Sequence, residues 1–126
     1  MRILIGITAG ISAYKIPLLI RKFIKEGAEV RCIMTPDARD FVSPLVVSTL
    51  SKNPVGIEFW DKESGLWNNH VAYGEWADVF LIAPCTANTL NKLAQGACDN
   101  LLMATFLSMR NKTIIAPAMD LEMYQY

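Results

Sequence analysis

Residues 2–12 read RILIGITAGIS, an apolar run followed by small and hydroxyl-bearing residues. The run Arg2–Ile7 has the length and the continuous apolar character of a strand that is buried on both faces of a parallel sheet. Apolar residues then recur at helical spacing over Ile11–Lys25, and Gly27 follows, which predicts a helix that ends near this glycine. A strand, a turn of small residues and a helix in this order are typical of an α/β layered fold.

The remainder of the chain repeats this alternation of strand and helix. Further strands are predicted at Ala28–Met34, Pro54–Phe59, Asp78–Ala83 and Thr113–Ala116. Helices are predicted at Ser43–Leu50, Val71–Trp76, Ala87–Ala94 and Asn100–Met109, and a loop at Trp60–Asn69. The chain has 126 residues and no internal repeat, so we expect one domain over residues 1–126, an α/β fold with a doubly wound, mainly parallel sheet.

Composition and charge exclude several classes of function. Twelve basic and twelve acidic residues are mixed along the chain and give no net charge, which is not the electrostatic footprint of a nucleic-acid-binding protein. The longest apolar run, around residues 79–84, is far shorter than the roughly 20 residues of a bilayer span. Cys32, Cys85 and Cys98 lack metal-ligand spacing. We therefore expect a cytoplasmic protein with reduced thiols, without a metal, and without a nucleic-acid or membrane partner.

Four of the predicted strands are followed by small residues that carry hydroxyl or amide groups. Open parallel sheets bind ligands beyond the carboxyl ends of their strands, where the strand order reverses. Small side chains let a ligand approach backbone N–H groups, and helix N-termini behind them favour an anion. The four strand tips are residues 8–12, 35–37, 84–89 and 117–120.

The first tip has neither of the two common phosphate-binding fingerprints. Thr8 and Ala9 occupy places where a G-x-G-x-x-G motif needs glycines, and no Gly-Lys-Ser/Thr follows as in a Walker A loop. Hydroxyls and backbone amides, without a metal or an essential lysine, suit the terminal phosphate of a mononucleotide such as FMN. The alternative is that Thr8, Gly10 and Ser12 form an ordinary strand-to-helix turn with an N-cap, so these residues alone leave the ligand open.

Several longer strings resemble one known family. GITAGISAYK (6–15), APCTANT (83–89) and GACDNLL (96–102) are similar to the flavin-binding segments of the homo-oligomeric flavin-containing cysteine decarboxylases. APAMDLEMY (116–124) resembles their P-x-M-N-x-x-M-W substrate motif, and His70 precedes a W-A-D element at 76–78 as their active-site histidine does. The match follows the family over essentially the whole chain, and the branch that it resembles most is the phosphopantothenoylcysteine decarboxylases.

The resemblance implies a flavodoxin- or Rossmann-like three-layer sandwich that binds FMN near a subunit interface, within a homo-trimer or dodecamer. The cofactor contacts that it implies are Thr8, Ala9, Gly10, Ile11, Thr35, Thr86, Ala87, Asn88, Thr89 and Ala118. For residues 86–89 the competing interpretation is a helix cap, because threonine before a helical run is an ordinary N-cap.

The resemblance also implies the reaction. Family members oxidise a cysteine-derived thiol with FMN, and the resulting thioaldehyde favours the loss of carbon dioxide. His70, the one histidine, is the expected base, since an imidazole can take a proton near neutral pH. Alternatively, it is a surface residue that begins a helix after Asn69. The expected small-molecule substrate is 4′-phosphopantothenoylcysteine, which would become 4′-phosphopantetheine in coenzyme A biosynthesis.

The chain departs from the family pattern in three places, the mildest of which is Tyr124 in place of tryptophan. Asp120 stands where the family has asparagine, and an ionised carboxylate repels a substrate carboxylate, although Met119, Asp120 and Met123 stay expected substrate contacts. The sequence stops at Tyr126, before the flap that carries the reductive cysteine in the family. We therefore expect a truncated chain, with that flap and any synthetase domain outside it; the alternative is a chain that lacks the reductive half of the reaction. Alternative identities are a peptidyl-cysteine decarboxylase, a flavin prenyltransferase, a dipicolinate synthase subunit and a non-catalytic regulatory flavoprotein.

Overall fold

A computed structural model describes all residues, 1–126. Four strands form one sheet: β1 is Arg2–Ile7, β2 is Glu29–Met34, β3 is Val79–Cys85 and β4 is Lys112–Pro117. The six α-helices are α1 (Ile16–Lys25), α2 (Pro44–Ser51), α3 (His70–Trp76), α4 (Ala87–Ala94), α5 (Leu101–Ser108) and α6 (Leu121–Gln125). Two 3₁₀ turns cover Ile11–Lys15 and Pro36–Asp40, and the second of them was not predicted.

The sheet is parallel throughout, in the strand order β2-β1-β3-β4. From β1 the chain moves outward to β2, then returns across β1 and continues at β3 and β4. The strand order therefore reverses between β1 and β3, and the crevice of such a sheet opens at the carboxyl ends of these two strands. This confirms the predicted doubly wound, parallel sheet.

Helices cover both faces of the sheet. Because side chains alternate along a strand, Ile3 and Ile5 of β1 point to one face, where they pack in a core cluster with residues of α1 and α2. Leu4 points to the other face and belongs to a second cluster, with Phe80 of β3 and residues of α4 and α5. The result is the expected three-layer sandwich. None of its helices has both the length and the apolar character that a membrane span requires.

The helix predicted over Ile11–Lys25 is present, but its first turn is not α-helical. The segment begins as the 3₁₀ turn Ile11–Lys15 and becomes α-helical only at Ile16, with Pro17 in the first turn. Proline has no N–H to donate, and its ring clashes with the carbonyl four residues earlier, so it fits the first turn of an α-helix but not its interior. Helix α1 therefore starts farther from the end of β1 than predicted.

The prediction of a strand at Pro54–Phe59 is wrong. Only Gly56 pairs with the sheet, through a single parallel bridge to Ile33 of β2. Pro54 has no N–H with which to extend the pairing. Gly56 also lies so close to α5 that a Cβ atom there would be 2.8 Å from Cδ2 of Leu101. Tertiary packing therefore holds this segment as a loop against β2.

The predicted loop at Trp60–Asn69 contains a short hairpin. Trp60 and Trp67 form an antiparallel bridge, and their rings meet edge to face at a centroid distance of 5.8 Å. In the turn, the Asp61 carboxylate accepts hydrogen bonds from the backbone N–H groups of Ser64 and Glu63, which lower the pKa of this carboxyl. We call residues 58–67 the aromatic hairpin.

Candidate functional site

A cleft of about 340 Å³ opens at the carboxyl ends of β1, β2 and β3. It brings together five of the residues that the sequence predicted as cofactor contacts. These are Ala9, Thr35, Thr86, Asn88 and Thr89. Three strand tips that are distant in sequence therefore meet at the point where the strand order reverses.

Thr8 lies beneath this cleft and ties β1 to β3. Its side chain is only 1% exposed. The hydroxyl donates to the carbonyl of Pro84 and accepts from the backbone N–H of Thr86 at 3.1 Å. A hydroxyl has one donor and two lone pairs, so most of its hydrogen-bonding capacity is used within the chain. The structure thus gives Thr8 the role of holding the loop after β3, and its contact with a cofactor stays a prediction.

Gly10 keeps the space between the first and third tips open. Its backbone is extended, with φ −127° and ψ 150°, so its conformation does not require glycine. The space around it favours glycine, because a Cβ atom would make a tight contact of 3.3 Å with Cγ of Pro84 and an ordinary contact of 3.7 Å with Cγ2 of Thr86. Any larger side chain would fill the gap between the two tips.

Thr86 caps α4, as the competing interpretation predicted. Its hydroxyl accepts from the backbone N–H of Thr89 at 3.3 Å and donates to the Thr89 hydroxyl at 3.2 Å. The cap does not exclude a ligand, because the other N–H groups in the first turn of a helix have no intrahelical partner. Thr86, Asn88 and Thr89 all line the cleft. This end of α4 therefore offers hydrogen-bond donors to an anion or a polar ring edge.

The cleft also has lining residues that were not predicted as site residues. Lys92 and Asp99 form an ion pair across it, with Nζ and Oδ2 2.9 Å apart. Asn100 caps α5 through a 2.9 Å hydrogen bond from the N–H of Met103. Asp99 and Asn100 lie in the string at 96–102 that carried the family resemblance, so this signal was present in the sequence. The unpredicted lining residues are Pro36, Asp37, Lys92, Asp99, Asn100 and Met103.

His70 does not line the cleft of its own chain. It is the first residue of α3, and Asn69 caps this helix by accepting from the N–H of Ala72 at 3.0 Å. The imidazole is half-buried and lies edge-on to the ring of Phe59, with a centroid distance of 6.5 Å. Because α3 runs back to the start of β3, its first residue lies at the same edge of the sheet as the cleft. The role of His70 as a base stays a prediction.

The tip after β4 is tied to β3 but does not line the cleft either. The N–H of Ala118 donates to the carbonyl of Cys85 at 2.9 Å. Asp120 caps α6, because its Oδ1 accepts from the N–H of Met123 at 2.8 Å, while its Oδ2 has no partner in the chain. The predicted contacts outside the lining, besides Thr8 and His70, are Gly10, Ile11, Ala87, Ala118, Met119, Asp120 and Met123.

Two of the three thiols are buried. Burial raises the pKa of Cys32 to about 12 and that of Cys85 to about 11. Both are therefore protonated at neutral pH, and the thiol form is a poor nucleophile. Cys32 and Cys85 pack in the two core clusters, whereas Cys98 is exposed.

Comparison with known proteins gives one consistent result. The whole chain, residues 1–126, matches the family model described as Flavoprotein. A cysteine/cysteine sulfinic acid decarboxylase from an unknown prokaryotic organism is 52% identical over 85 residues, which are 68% of this chain and 24% of that protein. The coenzyme A biosynthesis bifunctional protein CoaBC of Bacillus subtilis (strain 168) is 37% identical over 124 residues, 98% of this chain and 30% of that protein.

A solved structure shares the fold over the full chain. The crystal structure of the FMN-dependent cysteine decarboxylase SpaF superposes with a TM-score of 0.87 at 33% identity, covering 100% of this chain and 73% of that one. The chain spans less than a third of the length of the two curated relatives. From its doubly wound sheet, its cleft at the reversal of strand order and the match over all 126 residues, we conclude that the chain belongs to the Flavoprotein family.

Proposed function

We propose that residues 1–126 form the FMN-binding domain of an FMN-dependent decarboxylase that acts on a cysteine-derived thiol. The observation that carries this proposal is the cleft at the reversal of strand order, where three strand tips supply small and polar residues. The names of the 52% identical relative and of SpaF support this class of reaction, and the name of the CoaBC relative supports a place in coenzyme A biosynthesis.

The residues of the cleft fit FMN, which has an anionic phosphate, a polyol chain and a flat ring with a polar edge. Thr35, Thr86 and Asn88 would hold it with hydroxyl and amide groups, and the first turn of α4 would add unpaired N–H groups. Ala9, which lines the cleft, and its neighbour Gly10 would let the cofactor approach the backbone closely, because neither has a side chain larger than a methyl group.

When bound, FMN would supply a two-electron oxidant for the substrate thiol, whose thioaldehyde product favours the loss of carbon dioxide. The part played by this chain is to position the substrate and to move a proton. His70 is the proposed base that takes the proton of the thiol, because an imidazole accepts a proton near neutral pH and a lysine or an arginine does not do so readily.

We propose that His70 serves the cleft of a neighbouring protomer. It lies at the edge of the sheet where the cleft opens, but it does not line the cleft of its own chain. An arrangement in which the cofactor lies near a subunit interface would bring the two together. The proposed assembly is a homo-trimer or a dodecamer, acting in the cytoplasm, where the three thiols would stay reduced.

Two substrates are candidates. The first is 4′-phosphopantothenoylcysteine, which the CoaBC relative supports and which would become 4′-phosphopantetheine. The second is cysteine itself, which the name of the 52% identical relative supports. Asp120 favours the second, since its unpartnered Oδ2 would accept a hydrogen bond from an ammonium group that an acylated cysteine lacks. Met119 and Met123 would complete the substrate contacts of this tip.

The test uses the purified full-length protein, incubated with FMN and desalted. We expect a bound-flavin absorbance spectrum and release of labelled carbon dioxide from carboxyl-labelled phosphopantothenoylcysteine, cysteine or a peptide that ends in cysteine. The matching serine compounds should release none, because they have no thiol to oxidise. Gly10→Val should lose the flavin. A protein that stays colourless, or one that binds flavin but decarboxylates none of the three thiols, would contradict the proposal.

A further inference from the structure

A cavity of about 320 Å³ lies beside β2, on the face of the sheet that α3 covers. Its lining residues come from β2, from the loop after α2, from the end of the aromatic hairpin and from α3. No acidic residue lines it, and its one charged residue is Arg31. Its lining shares no residue with the cleft at the carboxyl ends of the strands. The cavity is therefore separate from the proposed cofactor site and carries a positive charge.

Arg31 holds this charge without an acidic partner. The residue is half-buried, and it takes part in neither of the two ion pairs of the chain. Its Cζ lies 4.3 Å from the centroid of the Trp76 ring, which is a cation–π contact. The hydrogen bonds that arginine side chains make in this protein belong to Arg39 and Arg110. The guanidinium is thus fixed by a ring while its N–H groups stay free, an arrangement that suits the bidentate binding of an oxyanion.

Tyr73 adds a hydroxyl donor near this guanidinium. Burial raises the pKa of Tyr73, and the positive charge of Arg31 acts in the opposite direction. The phenol is therefore neutral at neutral pH and can donate a hydrogen bond. Its hydroxyl has no hydrogen-bond partner in the chain, and the chain buries no polar side-chain atom without a partner. The hydroxyl is consequently open to the cavity that Tyr73 lines, where it can share an oxyanion with Arg31.

The rest of the lining suits a small ligand with a flat body. Trp67, at the end of the aromatic hairpin, is 69% exposed and offers a ring on which a planar group can stack. The amide nitrogens of Asn53 and Asn68 donate to backbone carbonyls at 2.6 to 3.0 Å. Their Oδ1 atoms are left to accept from a donor on the ligand. The volume is near the lower end of the range of about 300–1,000 Å³ for ligand pockets.

We propose that this cavity binds a small aromatic carboxylate that carries a hydrogen-bond donor on its ring. The carboxylate would accept from Arg31 and Tyr73, the ring would stack on Trp67, and the two asparagine oxygens would accept from the ring substituent. One guanidinium balances the single charge of a carboxylate. It does not balance a phosphate monoester, whose charge is about −1.5 to −2 at pH 7.

The full-length protein is titrated with 4-hydroxybenzoate, and with 4-hydroxybenzamide as its neutral counterpart, using saturation-transfer difference NMR. We expect saturable binding of the carboxylate and binding of the amide that is about tenfold weaker or more, because charge-assisted hydrogen bonds are the stronger ones. Arg31→Met should raise the dissociation constant of 4-hydroxybenzoate about tenfold or more. Tyr73→Phe removes only the hydroxyl and should raise it about threefold or more. Circular dichroism checks that both variants are folded.

The matched control is Arg21→Met, which removes an exposed arginine outside the cavity and should leave the dissociation constant unchanged. Saturating FMN should also leave it unchanged, because the two linings share no residue. The titrations without FMN do not depend on flavin or turnover, so they can fail while the proposed function stands. Equal binding of acid and amide would overturn the site, as would folded Arg31→Met and Tyr73→Phe variants that bind like wild type. Displacement of the probe by FMN would overturn it too, because the probe would then lie in the cleft.

Discussion

The backbone N–H of Thr86 donates a hydrogen bond to the hydroxyl of Thr8 across 3.1 Å, between residues 78 positions apart in the sequence. The bond joins the tips of β1 and β3, the two strands between which the strand order reverses. The same hydroxyl donates to the carbonyl of Pro84. One buried side chain therefore sets the spacing between two walls of the cleft.

Thr8→Val tests this tie, because valine keeps the shape of threonine and removes the hydroxyl. The N–H of Thr86 would lose its partner, and an unsatisfied buried donor costs about 1–3 kcal/mol. We expect that loss in the free energy of unfolding, measured with urea, together with weaker FMN binding in a fluorescence titration. Thr8→Ser keeps the hydroxyl and is the control. If valine and serine behave alike, the hydroxyl does not hold the loop.

Gly74→Ala tests the contact between α3 and α5. A Cβ atom at position 74 would lie 2.5 Å from the carbonyl oxygen of Ser108, which belongs to the backbone and cannot rotate away. The helices would have to separate, and overpacking of this kind costs about 1–3 kcal/mol. Thermal and urea unfolding should both show the loss. Val71→Ala, at an exposed position of the same helix, should change stability far less, and equal effects of the two would rule out the close approach.

His70→Asn tests the proposed base. Asparagine keeps a polar side chain at the start of α3 but cannot take a proton near neutral pH, so carbon dioxide release should fall about 100-fold or more. The amount of bound flavin should not change, because the proposed cofactor contacts are the residues that line the cleft, and His70 is not among them. Phe59→Leu is the control for packing, since it removes the ring that lies edge-on to His70 and keeps the imidazole. Turnover that survives in His70→Asn would assign the proton transfer to another group.

The buried thiols make stability depend on alkaline pH. Unfolded thiols ionise near pH 9.0, whereas burial raises the pKa of Cys85 to about 11 and that of Cys32 to about 12. Above pH 9.0 the unfolded state therefore releases protons that the folded state keeps. The free energy of unfolding should fall by about 1.4 kcal/mol per pH unit for each thiol, until the folded pKa is reached. Below pH 9.0 the contribution of these thiols to the free energy of unfolding is fully present.

Urea unfolding at a series of pH values between 8 and 11 would measure this slope, with the range chosen from the pKa values of Cys32 and Cys85. Cys32→Ala and Cys85→Ala should each flatten it. Cys98→Ala is the control and should not, because Cys98 is exposed. An unchanged slope in both buried-site variants would show that other groups cause the pH dependence.

The sheet was predictable because β1 and β3 are continuous apolar runs, which few environments other than a buried parallel sheet accommodate. The 3₁₀ turn after β1 was not predicted, although Pro17 indicates where the α-helix begins. The helical spacing of apolar residues continues across this proline and conceals the change. For Pro54–Phe59 the local signal was Pro54, which is also compatible with the first residue of a strand and so did not decide the matter. That segment is a loop because Gly56 lies against Leu101, a contact that depends on how α5 packs.

Much of the cleft was predictable for a similar reason. Residues that follow parallel strands must meet at one edge, and Ala9, Thr35 and Thr86 do so. The ion pair of Lys92 with Asp99 was not predictable, since it depends on the relative position of α4 and the loop before α5. The burial of Thr8 could not be predicted either, because the side chain of a threonine at a strand tip can point toward a ligand or into the protein. Only the neighbouring strand decides between the two.

The order β2-β1-β3-β4 also dictates when a growing polypeptide could acquire its cofactor. Residues 1–60 can form only β1 and β2, and the opposite wall of the crevice is missing until β3 has been added. A nascent chain should therefore remain colourless until residues 79–85 have been made, and gain flavin in one step with completion of the central strand pair. Because FMN would then bind only the finished domain, each tenfold excess of free FMN over its dissociation constant would add about 1.4 kcal/mol to stability. Supply of the vitamin-derived cofactor would thereby set how much of the newly made protein survives.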